Sequence, residues 1–143
     1  MKQQTILLVD DNPAEIELFR EALLEVNPKL HLLTATGGDD CLILLRQIED
    51  RTDATEPDLI LLDLNMPGPD GRSILGRIKG SRQLRHLPVI ILSTSKEEKD
   101  VLETYRLQAN SYVAKPLGFE ELKTLLRNLL HYWLQVARIP SAG

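Results

Sequence analysis

Cysteine is almost missing: Cys41 stands alone, so no internal disulfide can form, and a reducing, cytoplasmic setting is expected. Long apolar runs are missing too, and nothing approaches the roughly 20 residues that a membrane helix needs. The "TILLV" stretch before Asp10 and Asp11 is far too short for the core of a secretion signal. Basic charge is not in excess; 17 Lys and Arg face 21 Asp and Glu, a net charge of −4. Nucleic acid and anionic membrane surfaces are therefore not expected partners. No glycine-rich loop follows the first apolar run, which argues against a nucleotide-binding phosphate cradle. The sequence also has no internal repeat, low-complexity tract or linker.

What is there amounts to 143 residues, 43% hydrophobic and 27% charged, enough for one domain with a real core. Apolar runs of strand length alternate with amphipathic stretches of helix length. Strands are expected at 5–10 ("TILLVD"), 29–35 ("KLHLLTA"), 58–63 ("DLILLD"), 88–95 ("PVIILSTS") and 111–115 ("SYVAK"). Asn12 is a ready N-cap and Pro13 a first helical residue, followed by Ile16, Phe19, Leu23 and Val26 at helical spacing. Further helices are expected at 39–50, 71–81, 96–109 and 118–137, and 51–57 is a polar loop closed by Pro57. This alternation predicts an α/β fold, a doubly wound five-stranded parallel sheet with helices on both faces.

In such sheets ligands bind outside the carboxyl ends of the strands, where strand order reverses. The first strand ends at Asp10 and Asp11, the third at Asp63, the fourth at Ser93 and the fifth at Lys115. Each alone is an ordinary turn former, helix cap or solvated group. Together they make one constellation. Three carboxylates within about 5 Å repel by roughly 3 kcal/mol per pair at an effective dielectric near 20. One lysine is not enough for three anions, whereas a hard divalent cation that takes oxygen ligands and keeps waters, Mg²⁺, is. Asp63 then stands as metal ligand and as nucleophile toward phosphorus. Mg²⁺ and Lys115 would neutralise the phosphoryl oxygens, and Ser93 would donate to one of them. The turn "NMPGPDG" stops the strand so that backbone groups after Asp63 face the site.

With these residues the sequence resembles the receiver domain of two-component response regulators. "LLVDDN", "LILLDLNMPGPDG", "PVIILSTS" and "SYVAKP" follow in order, with Ser93 30 residues after Asp63 and Lys115 22 after Ser93. The likeness spans about residues 4–135. It implies the flavodoxin-like receiver fold, strand order 2-1-3-4-5 with five helices, in a domain at 1–136 followed by a tail at 137–143. It implies that a histidine kinase or a phosphotransfer protein phosphorylates Asp63. Mg²⁺ is implied at Asp11, Asp63 and the backbone carbonyl of Asn65, with Asp10 reaching the metal through water. Asn65 and Thr94 are implied as backbone contacts of the phosphoryl group, Lys115 as its cation, and Ser93 with Tyr112 as the switch pair. The Lys115–Pro116 bond is of a kind often cis in this family. Thr94 is bulkier than the alanine or glycine often found after the switch hydroxyl, and is expected to restrict Tyr112. The long loop 51–57, the absence of an output domain and the ending "YWLQVARIP" resemble the small regulators partnered with cyanobacterial phytochromes. Lys115–Pro116 follows the general receiver pattern instead.

An aspartyl-phosphate phosphohydrolase would need a second carboxylate two residues after Asp63; Asn65 stands there, so enzymatic turnover is not expected. An adaptor that is never phosphorylated is disfavoured because the acids, the hydroxyl and the lysine are all present. In the last helix Leu122, Leu126, Leu129, Trp133 and Val136 trace one face, and Leu125, Leu130 and Leu134 widen it beyond one buried stripe. A homodimer through the fourth helix, fifth strand and fifth helix is expected to use the excess, the alternative being a tail folded back over it. Cys41 and Met66 read as packed residues. His31, His86 and His131 share no metal-ligand spacing, and Arg82, Arg85 and His86 read as a solvated cluster.

Overall fold

The apolar runs pair side by side as five parallel strands, β1 (Thr5–Val9), β2 (His31–Ala35), β3 (Leu59–Asp63), β4 (Val89–Ser93) and β5 (Ser111–Ala114). Their order is β2-β1-β3-β4-β5, as expected. The helices α1 (Pro13–Val26), α2 (Gly38–Glu49), α3 (Gly71–Lys79), α4 (Glu98–Arg106) and α5 (Phe119–His131) connect them. The computed structural model of the chain describes residues 3–52 and 55–140. Part of the loop at 51–57 and the end of the tail, 141–143, lie outside the described residues.

β1, β3 and β4 are buried along their whole length, which is why their sequences are apolar on both faces. Side chains alternate between two cores. Leu7, Val9, Ile60, Leu62, Val89 and Ile91 meet α2 and α3 on one face. Ile6, Leu8, Leu59, Leu61, Ile90 and Leu92 meet α1 and α5 on the other. Cys41 and Met66 are packed in the first core, and burial pushes the Cys41 thiol up to about 12. No helix among the described residues is long and apolar enough to cross a membrane.

Several element ends differ from the sequence reading, and four of them have a clear local setting. β2 starts only at His31, because Asn27 draws the Lys29 N–H to its side chain at 3.2 Å and the Leu30 N–H to its carbonyl at 3.3 Å. β4 ends at Ser93 because the Ser95 N–H turns to the Ser93 hydroxyl instead of a neighbouring strand. α4 ends at Arg106, followed by Gln108 at φ 76 in the left-handed region. α5 gives way after His131 to a π-helical turn, Tyr132–Val136.

That last change alters the expected apolar excess. Leu122, Leu126, Leu129 and Leu130 are buried against the sheet and α1, and Leu125, Trp133 and Leu134 pack at the margin of the same core. Tyr132 and Val136 stay exposed. Lys123 ties α5 to α1, with its ammonium 3.1 Å from Glu25 and 2.9 Å from Glu120 and lying over the Phe119 ring. α4 is the outlier, burying only Thr104 and leaving Leu102 and Tyr105 in solvent.

Candidate functional site

Sheet geometry carries the expected residues to one edge. The ladder continues one residue past β1, through the Asp10 N–H to the Ala35 carbonyl at 3.2 Å. It also continues past β5, through the Lys115 N–H to the Ser93 carbonyl at 2.8 Å. Asp63 closes β3 itself. The chain turns sharply behind it because Gly68 takes φ +69 and Gly71 packs against the strand end. A Cβ on Gly71 would stand 2.5 Å from the Asp63 carbonyl oxygen and 2.7 Å from the Leu64 Cα. The Gly71 N–H instead donates to the Leu64 carbonyl at 2.9 Å, so the first turn of α3 abuts Asp63.

Asp10, Asp11 and Asp63 each present a carboxylate oxygen, all within 4.8 Å of one another; among the described residues no other trio of His, Cys, Asp or Glu does so. The Lys115 ammonium lies 3.2 Å from Asp10 Oδ2 and 3.6 Å from Asp63 Oδ2. Burial pushes the Asp10 carboxyl up to about 6, with the Asn12 N–H and Lys115 pulling the other way. Asp63 is raised by burial too, against the pull of Lys115, and Glu15 and Asp11 add to the rise. Burial alone would lower Lys115, yet Glu15, Asp63 and Asp10 together hold its ammonium above the ordinary range. The pocket is therefore over-supplied with negative charge. Its donors are hard carboxylate oxygens, the chemistry that fits a divalent cation such as Mg²⁺ or Mn²⁺.

Ser93 is fully buried beside Asp63, and its hydroxyl accepts from the Ser95 N–H at 3.1 Å. Tyr112 is partly buried, and its hydroxyl donates to the Ser95 carbonyl at 2.9 Å. Asn65 is exposed, and its backbone N–H draws the Asp63 carboxyl down against the effect of burial. Thr94 borders a cavity with Glu15 and Lys115, while Tyr112 packs against the α2–α3 core. The Lys115–Pro116 bond is trans; no peptide bond among the described residues is cis.

Two groups were missed. Glu15 is the nearest partner of Lys115, at 2.7 Å. A signal existed, since Asn12 as N-cap places Glu15 at the third helical position, where side chains lean back toward the N-terminus. Ser95, Asp100 and Arg72 form the second group. Ser95 Oγ donates to Asp100, whose other oxygen receives Arg72 at 2.7 Å, and Arg72 also pairs with Glu103. Nothing in the sequence marks a contact between residues 28 apart on α3 and α4.

A doubly wound sheet with acids, a hydroxyl and a lysine at its strand ends is the architecture of a receiver domain, and the chain belongs to that family. Residues 6–127 match the response regulator receiver domain, and the chain has the phosphoacceptor role of that family in two-component signalling. It is 34% identical over 139 residues to the response regulator Rcp1 of Synechocystis sp., covering 97% of this chain and 95% of that protein. The phosphorylated cyanobacterial phytochrome response regulator RcpA is similar in structure, with a TM-score of 0.89 and 38% identity over 98% of this chain and 100% of that one. The Mn²⁺-bound form of Rcp1 gives a TM-score of 0.85 and 33% identity over 96% and 99% of the two chains.

Proposed function

We propose that Asp63 is the phosphoacceptor of a Mg²⁺-dependent response regulator that signals without catalysing turnover of an external substrate. The observation that carries this is the convergence at the end of β3. Asp63 lies in a trio of carboxylates spanning 4.8 Å, with Lys115 at 3.6 Å and buried Ser93 on the next strand. An Asp63 oxygen would attack the phosphorus of a phosphohistidine, forming an O–P bond as the N–P bond breaks and the imidazole leaves with a proton. Asp11, Asp63 and the Asn65 carbonyl would hold the metal, with Asp10 acting through water. Bound there, Mg²⁺ supplies charge neutralisation for the transferring phosphoryl oxygens. Lys115 would pair with one of those oxygens, Ser93 would donate to another, and the Asn65 and Thr94 backbone would line the rest.

The donor is a histidine kinase of phytochrome type or a phosphotransfer protein, a reading supported by the phytochrome regulators among the similar structures. The switch pairs Ser93 with Tyr112. Drawing Ser93 toward the phosphoryl group releases the Ser95 N–H and, with Tyr112, shifts the α4–β5–α5 face that a partner or a second copy of the chain reads. Residues 1–136 act as the receiver and 137–143 as a tail.

Intact mass after incubation with acetyl phosphate tests the core of this. One adduct that needs Mg²⁺ and disappears in Asp63→Asn is expected. An adduct that persists in Asp63→Asn would move the acceptor elsewhere.

A further inference from the structure

Glu15 contacts the reacting lysine, yet nothing in the acceptor chemistry calls for it. Its place is fixed by the cap of α1: the Asn12 side chain accepts from the Ala14 N–H at 2.9 Å and the Glu15 N–H at 3.4 Å, which sets Glu15 in the first helical turn. From there its carboxylate reaches the Lys115 ammonium at 2.7 Å, whereas the Asp63 oxygen is 3.6 Å from the same nitrogen. The lysine is thus drawn most closely to a carboxylate that lies outside the acid trio. The side chain of Glu15 is 44% exposed against 18% for Lys115, so it is the partner free to withdraw. A cavity of about 180 Å³, bordered by Leu18, Thr94 and Leu117, opens beside the pair and leaves room for that withdrawal.

We propose that Glu15 is a positioning residue that holds Lys115 back from Asp63, and so sets how readily Asp63 takes and keeps a phosphoryl group. The proposal rests on the acceptor role of Asp63. A phosphoryl group adds anionic charge where three aspartates and Glu15 already stand against one lysine. To meet its oxygens, Lys115 has to loosen its closest contact, and Glu15 repels the incoming anion meanwhile. Both effects oppose the phosphorylated form, and neither involves bond making at Glu15.

Glu15→Gln and Glu15→Asp separate contact from charge. The glutamine removes the charge; the aspartate keeps it but falls short of Lys115 by about 1.5 Å, one carbon–carbon bond. Two readouts apply to each variant and to wild type in Mg²⁺. One is the acetyl phosphate concentration that gives half phosphorylation, by intact mass. The other is the affinity for beryllofluoride, a non-covalent phosphoryl mimic, by fluorine NMR. The glutamine variant should need about fivefold less acetyl phosphate and bind beryllofluoride about fivefold more tightly, the scale of one partly exposed ion pair, and the aspartate variant should shift both readouts in the same direction by about half of that free energy. An aspartate variant that behaves as wild type while the glutamine variant shifts would overturn the proposal in favour of a bare field effect. Two unmoved variants would overturn it outright. Wild type with neither adduct nor beryllofluoride binding would overturn the acceptor role itself, and the proposal with it.

Discussion

The Tyr112 hydroxyl and the Ser95 carbonyl are joined at 2.9 Å, and the N–H of the same Ser95 holds the Ser93 hydroxyl at 3.1 Å. Both members of the proposed switch pair therefore meet on one loop residue, whose own hydroxyl bonds Asp100 in the first turn of α4. Tyr112→Phe deletes only the first of these bonds. We expect a stability loss of about 1 kcal/mol, the usual worth of one net hydrogen bond. Amide exchange at Ser95 and Glu97 should quicken with it. Exchange rates equal to wild type would remove Tyr112 from the support of this loop.

Two glycines of α3 give opposite predictions for the same substitution. At Gly71 a methyl group meets the backbone of Asp63 and Leu64 at 2.5–2.7 Å, and neither can step aside. Gly71→Ala should cost about 1–3 kcal/mol and weaken phosphorylation by displacing Asp63. At Gly76 nothing lies within 4 Å. Gly76→Ala should stabilise by about 0.5–1 kcal/mol, through helix propensity and a less flexible unfolded chain. Urea unfolding of both variants decides; a stabilised Gly71→Ala would refute the close packing behind Asp63.

Acid stability should depend on Glu49. Arg77, with one nitrogen at 2.8 Å, and the Ser81 hydroxyl at 2.6 Å hold its carboxyl down to about 2 from an ordinary 4.5. A carboxyl lowered by folding lends stability that is complete above pH 4.5 and vanishes as pH falls toward 2. Water screens this pair, which limits the effect to about 1 kcal/mol. Wild type should therefore lose more stability than Glu49→Gln between pH 5 and pH 2.5. Parallel pH profiles for the two proteins would contradict this.

Asp11 should favour cation binding and oppose folding in the absence of a cation, because it is only half-buried and its charge faces Asp10 and Asp63. Calorimetric titration with Mg²⁺ should show Asp11→Asn weakened about tenfold, the loss of one charged oxygen ligand. Thermal unfolding without metal should move to higher temperature, because the substitution removes one of three mutually repelling carboxylates. Equal Mg²⁺ affinity in the two proteins would take Asp11 out of the ligand set.

How much of this could be read from the sequence follows from the range of each contact. Strand ends here are continuous apolar runs closed by a polar residue, so the places of Asp10, Asp63, Ser93 and Lys115 at the ends of their strands were legible, and the parallel alternation brought them to one edge. Glu15 was passed over because an acid in a first helical turn is ordinary; only the placing of Lys115 beside α1 gives it a second meaning. The Arg72–Asp100–Ser95 chain depends on how α3 and α4 lie across from each other, which no local pattern encodes. The apolar breadth of the last helix was visible, but a straight helical wheel could not anticipate that the π turn brings Trp133 and Leu134 back to the core.

Helix α4, with Thr104 as its sole buried side chain, packs on β5, an edge strand that is only partly buried, whereas β1, β3 and β4 are closed to water. Resistance to deformation is therefore uneven across the molecule. Lifting or rotating α4 sacrifices little apolar contact, so its opening free energy should be among the lowest of the helices, while the strands that carry the acids open only when the whole domain unfolds. Under the proposed switch, a modest chemical event at a stiff edge would act on one of the softest degrees of freedom of the domain. A partner that reads α4 in that switch would need to supply only a small part of the work of moving it.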